Sequence, residues 1–236
     1  MANELKSWNR GFTKETHPSI LKISETFKRN KLDNFKGWRK EMKRLGKIRS
    51  RYPAFRKTGD LAELIGLVLG DGHIESFPRT ESLTIACNAK NTGLIRRCKY
   101  LVEKLFEKEP YEGNTISNKN CIRVRVYQKN ISKRLGLPTG NRKNLHFRTP
   151  GWILRNQEYL KRYLRGLYEA EGSFCVHKPT CTYKLFFSNR NEFLLGNVYK
   201  GLKILGFHPH RGKCQIQVSR KKEVYRIKDL IKFRQY

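Results

Sequence analysis

The chain is poor in acid. Its 236 residues carry 20 Asp and Glu against 51 Lys and Arg, a formal charge of +31. An excess of that size repels itself in a compact state and goes beyond what a solvated surface needs, so a polyanionic partner is the simplest compensation and nucleic acid the commonest one. Charge sets neither fold nor chemistry, and on this ground alone a ribosomal-type RNA binder stands level with a DNA-binding protein. Long apolar runs are missing too. None approaches the roughly 20 residues of a membrane span, so no membrane partner is expected. The opening MANELKSWNR lacks the apolar stretch of a secretion signal, which points to an intracellular setting, with bacterial or phage cytoplasm and organelle matrix indistinguishable. Six cysteines (Cys87, Cys98, Cys121, Cys175, Cys181 and Cys214) include no C-x-x-C pair. Zinc spacing is thus absent, and without a secretion signal the thiols are expected to stay reduced and mostly to pack as small apolar residues. His17, His73 and His177 have no ligand spacing and read as contacts or spacers.

What is present falls into regions of different texture. Residues 1–57 are polar and basic, with aromatics set singly among charges. Residues 58–140 and 158–236 carry stronger hydrophobic patterns in a shared order, joined by a linker, 141–157, in which Pro150 and Gly151 mark loop. In the first copy Asp60 and Glu63 have capping-box spacing, predicting a helix to about Gly70 that Gly72 ends. Strands are expected at 73–78 and 82–88, a helix at 91–107, strands at 111–117 and 121–127 and a short helix at 130–136. In the second copy, strands are expected at 173–177 and 182–188, a helix at 191–206, one strand at 213–219 and a helix at 222–233.

The strands alternate. Ile122, Val124 and Val126 oppose Arg123, Arg125 and Tyr127, and Ile216 and Val218 oppose Gln215 and Gln217. With a period of two, one sheet face is apolar and the other polar. A single such strand fits an ordinary solvated sheet equally well. Here the charge excess, and the match of Arg and Gln to guanine and adenine edges, favour DNA contact, with Lys184 of the 182–188 strand added to the set.

Two nine-residue strings carry the chemistry: LIGLVLGDG (Leu64–Gly72) and LRGLYEAEG (Leu164–Gly172). Each places Gly, then a small residue four later, then an acid, then Gly: Gly66, Gly70, Asp71, Gly72 and Gly166, Ala170, Glu171, Gly172. The acids lie 100 residues apart. Small residues four apart share a helix face and let two backbones approach, which would bring both acids together at the helix ends. Two carboxylates at the negative ends of two helix dipoles repel, and a divalent cation relieves that repulsion. Hard oxygen ligands suit Mg²⁺, and metal between two acids is what phosphodiester hydrolysis can use. One Gly-acid-Gly after an apolar helix is usually only a helix end; two in register, each followed by a strand pair, are harder to explain that way.

These strings resemble the paired signature motifs of the LAGLIDADG homing endonucleases, and the likeness runs over residues 58–236 through element order and the P-G-W-I connector. It implies an α+β fold, a pseudo-twofold duplicated αββαββα arrangement with two antiparallel sheets that saddle duplex DNA, in a monomer. It also implies cutting of both strands with Mg²⁺ or Mn²⁺ to leave short 3′ overhangs. Carried over, the metal set is Asp71 and Glu171 with Gly70 and Ala170 beside them, and the helix interface is Gly66, Gly70, Gly166 and Ala170. The first motif departs at Leu69, where the family often has an acid; the second keeps Glu169. Basic residues complete such sites, and by position Lys90, Asn189 with Arg190, Lys129 and Lys221 are candidates, each equally readable as a phosphate contact. The segment W-N-x-G-x-T-K-E-T, Trp8 to Thr16, resembles modular DNA-binding motifs appended to homing endonucleases, which makes Trp8 and Lys14 DNA-contact candidates, with a helix expected at 19–29. The rival there is a disordered basic tail. Rival functions are an intron-RNA-binding maturase and a non-catalytic DNA-binding regulator on the same fold.

Overall fold

The structure, a computed structural model, describes residues 8–47, 49, 51–115, 118–141 and 145–236. It divides into two units, residues 1–52 and 53–236, so the second unit holds both copies and begins a few residues before the change in composition.

In the first unit, α1 (Pro18–Arg29) and α2 (Lys36–Arg44) bury no residue. The expected helix at 19–29 is α1. His17 is its N-cap, Nδ1 accepting the Ser19 amide at 3.2 Å, a structural role its sequence context does not show. Trp8 is exposed, and Lys14 pairs with Glu15 at 3.4 Å.

The second unit opens with α3 (Gly59–Asp71), the first motif helix. Its N-cap is Thr58, whose hydroxyl accepts the Leu61 amide at 3.2 Å; the capping box expected at Asp60 does not form, because Asp60 lies in the first turn and Glu63 is taken up elsewhere. There follow β1 (Gly72–Phe77), β2 (Thr80–Asn88), α4 (Thr92–Phe106), β3 (Tyr111–Thr115), β4 (Asn118–Gln128) and α5 (Ile131–Leu135). The linker region contains a single helical turn, α6 (Gly151–Leu154), where loop was expected. The second copy is α7 (Gln157–Glu171), β5 (Gly172–His177), β6 (Thr182–Ser188), α8 (Glu192–Ile204), β7 (His210–Arg211), β8 (Gln215–Val218) and α9 (Lys221–Leu230). Residues 116–117 of the expected strand at 111–117 lie outside the described residues. The strand expected at 213–219 is β8; β7, before it, is unanticipated, since two residues carry no alternation to read.

Both sheets are antiparallel with the same order, β1-β2-β4-β3 and β5-β6-β8-β7. Each turns an apolar face to the core, through Ile74, Leu83, Ile85, Val124 and Val126 in one and Leu185, Phe187, Ile216 and Val218 in the other. α4 and α8 close these faces with Leu94, Leu101, Leu195 and Val198. All six cysteines are free thiols, but only Cys87 and Cys98 are buried; Cys175, Cys181 and Cys214 are exposed, contrary to the expected packing.

Between the sheets α3 and α7 run parallel with their backbones in contact. A Cβ on Gly66 would lie 2.3 Å from the Tyr163 carbonyl oxygen, one on Gly166 2.2 Å from that of Glu63, and one on Gly70 2.3 Å from the Ala170 Cβ. The leading ends are tied by charge. Glu63, 1% exposed, accepts from Arg97 Nε at 2.8 Å and Nη2 at 3.0 Å and from Arg162, while Asp60 pairs with Lys104 at 2.7 Å and with Arg162. One acid pair thus holds cations from both α4 and α7, and breaking such a buried cluster leaves unpaired charge.

The glycine contact sets an expected contrast. Gly66→Val or Gly166→Val forces side chain into backbone and should lower stability by about 2 kcal/mol or more. Gly196→Ala, in α8 with open space at its Cβ, should be neutral or gain up to about 1 kcal/mol. Chemical denaturation of the three variants reads the difference.

Candidate active site

The site is built by two chain segments doing the same thing. Each motif helix passes into its sheet without a loop: Gly72 and Gly172 cap α3 and α7 in extended conformation and are already the first residues of β1 and β5. Their backbone φ values suit any residue; glycine is required by proximity, since a Cβ would come within 2.5 Å of the Val68 Cα and 2.3 Å of the Tyr168 carbonyl oxygen. The residues before them, Asp71 and Glu171, are the last of their helices and stand side by side where the helices meet, with the Glu171 Cγ only 3.4 Å from a Cβ position on Gly70.

Asp71 is exposed to solvent, although protein crowds its carboxyl group on the side facing Glu171. Burial, and the charge of Glu171 beside it, push its carboxyl up to about 7. Burial also raises Glu171, which accepts from Asn189 Nδ2 at 3.3 Å. The strand register sets Ile85 opposite Gly72 and Phe187 opposite Gly172, so the place of Asn189 is taken in the first copy by the buried Cys87. The two halves of the site are therefore not chemically equal. An adjoining cavity of about 470 Å³ is lined by Leu69, Gly70, His73, Asn141, Asn189 and Arg190 among others. His73 and Asn141 are additions to the sequence reading: His73 is the second residue of β1, and period two turns it to the open face.

The retained second-motif acid is not at the site. Glu169 is buried, accepts the Arg234 amide at 2.6 Å and the Tyr236 hydroxyl, and anchors residues 234–236, while Arg165 Nη2 donates to the Gln235 carbonyl at 2.7 Å. Tyr236 crosses to the first copy and lies against Gly93 in α4. Leu69, its counterpart, is buried apolar surface.

Among the described residues no group of three or more His, Cys, Asp or Glu side chains is arranged to hold a metal ion. Two carboxylates following Gly70 and Ala170 at the negative ends of two helices form a hard-oxygen donor set. It fits Mg²⁺ or Mn²⁺, which are held by one or two carboxylates with substrate phosphate and water completing the shell.

The basic candidates divide. Arg190 lines the cavity; Lys90 lies in the exposed turn after β2, on the acid side of the sheet. Lys129 and Lys221 do not. The register pairs Gly72 with Ile85 and Asn88 with Cys121, but Glu81 with Gln128, so β4 begins at the acid end and finishes at the far end of the sheet, leaving Lys129 roughly 15 Å away. Lys221 follows β8 in the same way, its Nζ 4.9 Å from the Tyr183 ring. Arg123, Arg125, Tyr127, Gln215, Gln217 and Lys184 all alternate with buried residues and lie on the outer faces of the sheets.

Comparison with known proteins bears on the fold. No family model matches the sequence. A segment of 138 residues is 29% identical to the tRNA-splicing ligase RtcB of Pyrococcus furiosus, taking in 52% of this chain and 14% of that protein. One of 171 residues is 28% identical to the replication factor C small subunit of Methanocaldococcus jannaschii, over 65% of this chain and 9% of that one. The chain therefore spans only a small part of these curated relatives. Among solved structures, the N-terminal LAGLIDADG domain of DUF199/WhiA superposes with a TM-score of 0.52 at 14% identity, over 77% of this chain and 86% of that one. The homing endonuclease I-DmoI, solved with DNA and Mn, superposes with a TM-score of 0.48 at 17% identity, over 73% and 96%. The chain has the LAGLIDADG-like α+β fold, with two four-stranded antiparallel sheets around the paired helices.

A raised Asp71 pKa costs the folded state nothing well below pH 3.8, where both states are protonated; the cost grows as pH rises through that value and reaches its full amount above about pH 7, where the native carboxylate is ionised. Asp71→Asn should therefore raise the melting temperature in EDTA at pH 8 and lose that advantage towards pH 4. Mg²⁺ should raise the melting temperature of the parent protein at pH 8 and do so less in the variant. Differential scanning fluorimetry checks both; equal shifts at the two pH values would contradict the paired-acid geometry.

Proposed function

We propose that the chain is a site-specific DNA endonuclease that seats duplex DNA across its two sheets and hydrolyses a phosphodiester in each strand with Mg²⁺ or Mn²⁺, leaving short 3′ overhangs. The observation that carries this reading is the pair of carboxylates, Asp71 and Glu171, brought together at the adjoining ends of two backbone-packed helices, where burial raises the pKa of both. The structural acids are satisfied inside the protein, Glu63 by Arg97 and Arg162 and Glu169 by the Arg234 amide and the Tyr236 hydroxyl. Among the described residues Asp71 and Glu171 have no cationic partner, Glu171 accepting only the Asn189 amide, and a divalent cation would supply one.

In this mechanism Asp71 and Glu171 would hold the ion, which would supply water activation and charge stabilisation for phosphodiester hydrolysis. Asn189 fixes the rotamer of Glu171, and Arg190 offers positive charge to phosphate entering the cavity. The glycine-packed helices hold the acids at a set separation, and the sheets, on a chain of charge +31, supply attraction for the DNA backbone. Because one chain provides both acids, a monomer suffices. Trp8, Lys14 and the two basic helices of the first unit add phosphate contacts, which position without specifying sequence.

The curated relatives support the same direction indirectly. A tRNA-splicing ligase and a replication factor subunit have no chemistry in common, yet each matches this chain over a small fraction of its length. A stretch that matches a small part of proteins so differently named fits a separable module.

Purified protein should cut a randomised duplex library in Mg²⁺ and not in EDTA, at one long sequence. Asp71→Asn or Glu171→Gln should reduce cutting by about a hundredfold or more while leaving DNA binding within a few-fold. Tight binding without cutting in Mg²⁺ or Mn²⁺ would replace the endonuclease by a DNA-binding regulator or a maturase, for which intron RNA is the ligand to try.

A further inference from the structure

The two sheets are related by pseudo-symmetry, and their register shows which residues the duplication makes equivalent. Gly72 pairs with Ile85 and Gly172 with Phe187, so Thr84 and Ala86 of β2 correspond to Phe186 and Ser188 of β6. Across from these lie Arg125 and Arg123 on β4, and Gln217 and Gln215 on β8. Two arginines in one half thus occupy the same places as two glutamines in the other, on the central strands and on the outer faces, opposite the buried Val124, Val126, Ile216 and Val218.

The inner pair is already oriented. Arg125 Nε donates to Thr84 Oγ1 at 2.9 Å and Nη1 to the Tyr127 hydroxyl at 3.2 Å. That leaves further donors of the guanidinium fork, and guanine offers two acceptors, N7 and O6, in the major groove. Gln217 Nε2 donates to Ser219 Oγ, which leaves its carbonyl and one N–H, the acceptor-donor pair that adenine N6 and N7 require. Residues two apart on a strand lie about 6.8 Å apart, close to two base-pair steps, so each pair reads bases about two steps apart.

Resting on the endonuclease reading, we infer that the target is a pseudo-palindrome of unequal chemistry: guanines two steps apart under the β4 half, read by Arg125 and Arg123, and adenines at the dyad-related positions under the β8 half, read by Gln217 and Gln215. Specificity is then divided between a charged half-site and a neutral one, and the asymmetry sets the orientation of the protein on its site.

The experiment is enrichment of bound duplex from a randomised library in EDTA, with full-length protein, Arg125→Gln, Gln217→Arg and Arg125→Lys. The parent should enrich the guanine pair in one half and the adenine pair in the other. Arg125→Gln should move one guanine preference to adenine and leave the other half unchanged, and Gln217→Arg should do the reverse at the dyad-related position, each by about tenfold or more. Arg125→Lys keeps the charge but not the fork, and should lose base preference at that position while keeping the salt dependence of binding. Enrichment of a defined site whose preferences do not move in these variants overturns this inference and leaves the DNA reading intact. Failure of the parent to enrich any duplex overturns both.

Discussion

Backbone packed on backbone between α3 and α7 is the constraint from which the rest of the second unit follows. Helices usually keep their axes apart by side chains; here Gly66 and Gly166 remove them, and the Tyr163 and Glu63 carbonyls come within the space a methyl group would fill. Such proximity fixes rotation as well as distance, since only one face of each helix is bare. With rotation fixed, the sheets that grow from the helix ends must face outwards on either side, and the terminal acids must meet. The contact is short-range and gives little if it is loose, so the structure holds it from both ends.

At the leading end the holding is electrostatic, through Glu63 and Asp60 with Arg97, Arg162 and Lys104. At the other end of the second copy it is the Glu169 carboxylate on residues 234–236, with Tyr236 packed on Gly93 of the first copy. These acids share a type with Asp71 and Glu171 and differ in surroundings. Glu63 and Glu169 are satisfied inside the protein, and that separation distinguishes framework carboxylates from those available to a cation.

The helix pair and the two sheets were readable because their signals are local and occur twice: glycine and small residue at four-residue spacing, an acid after each, and alternation in the strands that became β4 and β8. Features set by distant partners were not. Thr58 and Asp60 are both competent caps, and Glu63 could close a box with Asp60 until Arg97 and Arg162, from 34 and 99 positions away, claim it. Lys129 and Lys221 follow the last strands in sequence, but whether that places them near the acids depends on strand register, which one chain does not disclose. His73 lacked any ligand spacing and gained a place beside the cavity only when β1 began at Gly72. Exposed Cys175, Cys181 and Cys214 show the reverse error, a residue type's average habit applied to positions on an open face.

The direct passage of each motif helix into its first strand has a mechanical consequence. With no loop between Asp71 and β1 or between Glu171 and β5, sheet and carboxylate move as one lever whose fulcrum is the glycine crossing. A flexible hinge would let a sheet adapt to a poorly fitting surface while the acids stayed in place. Here a surface that tilts a sheet displaces its acid too. On a ligand that lies across both sheets, a misfit felt at the rim is therefore carried to the acids at the centre.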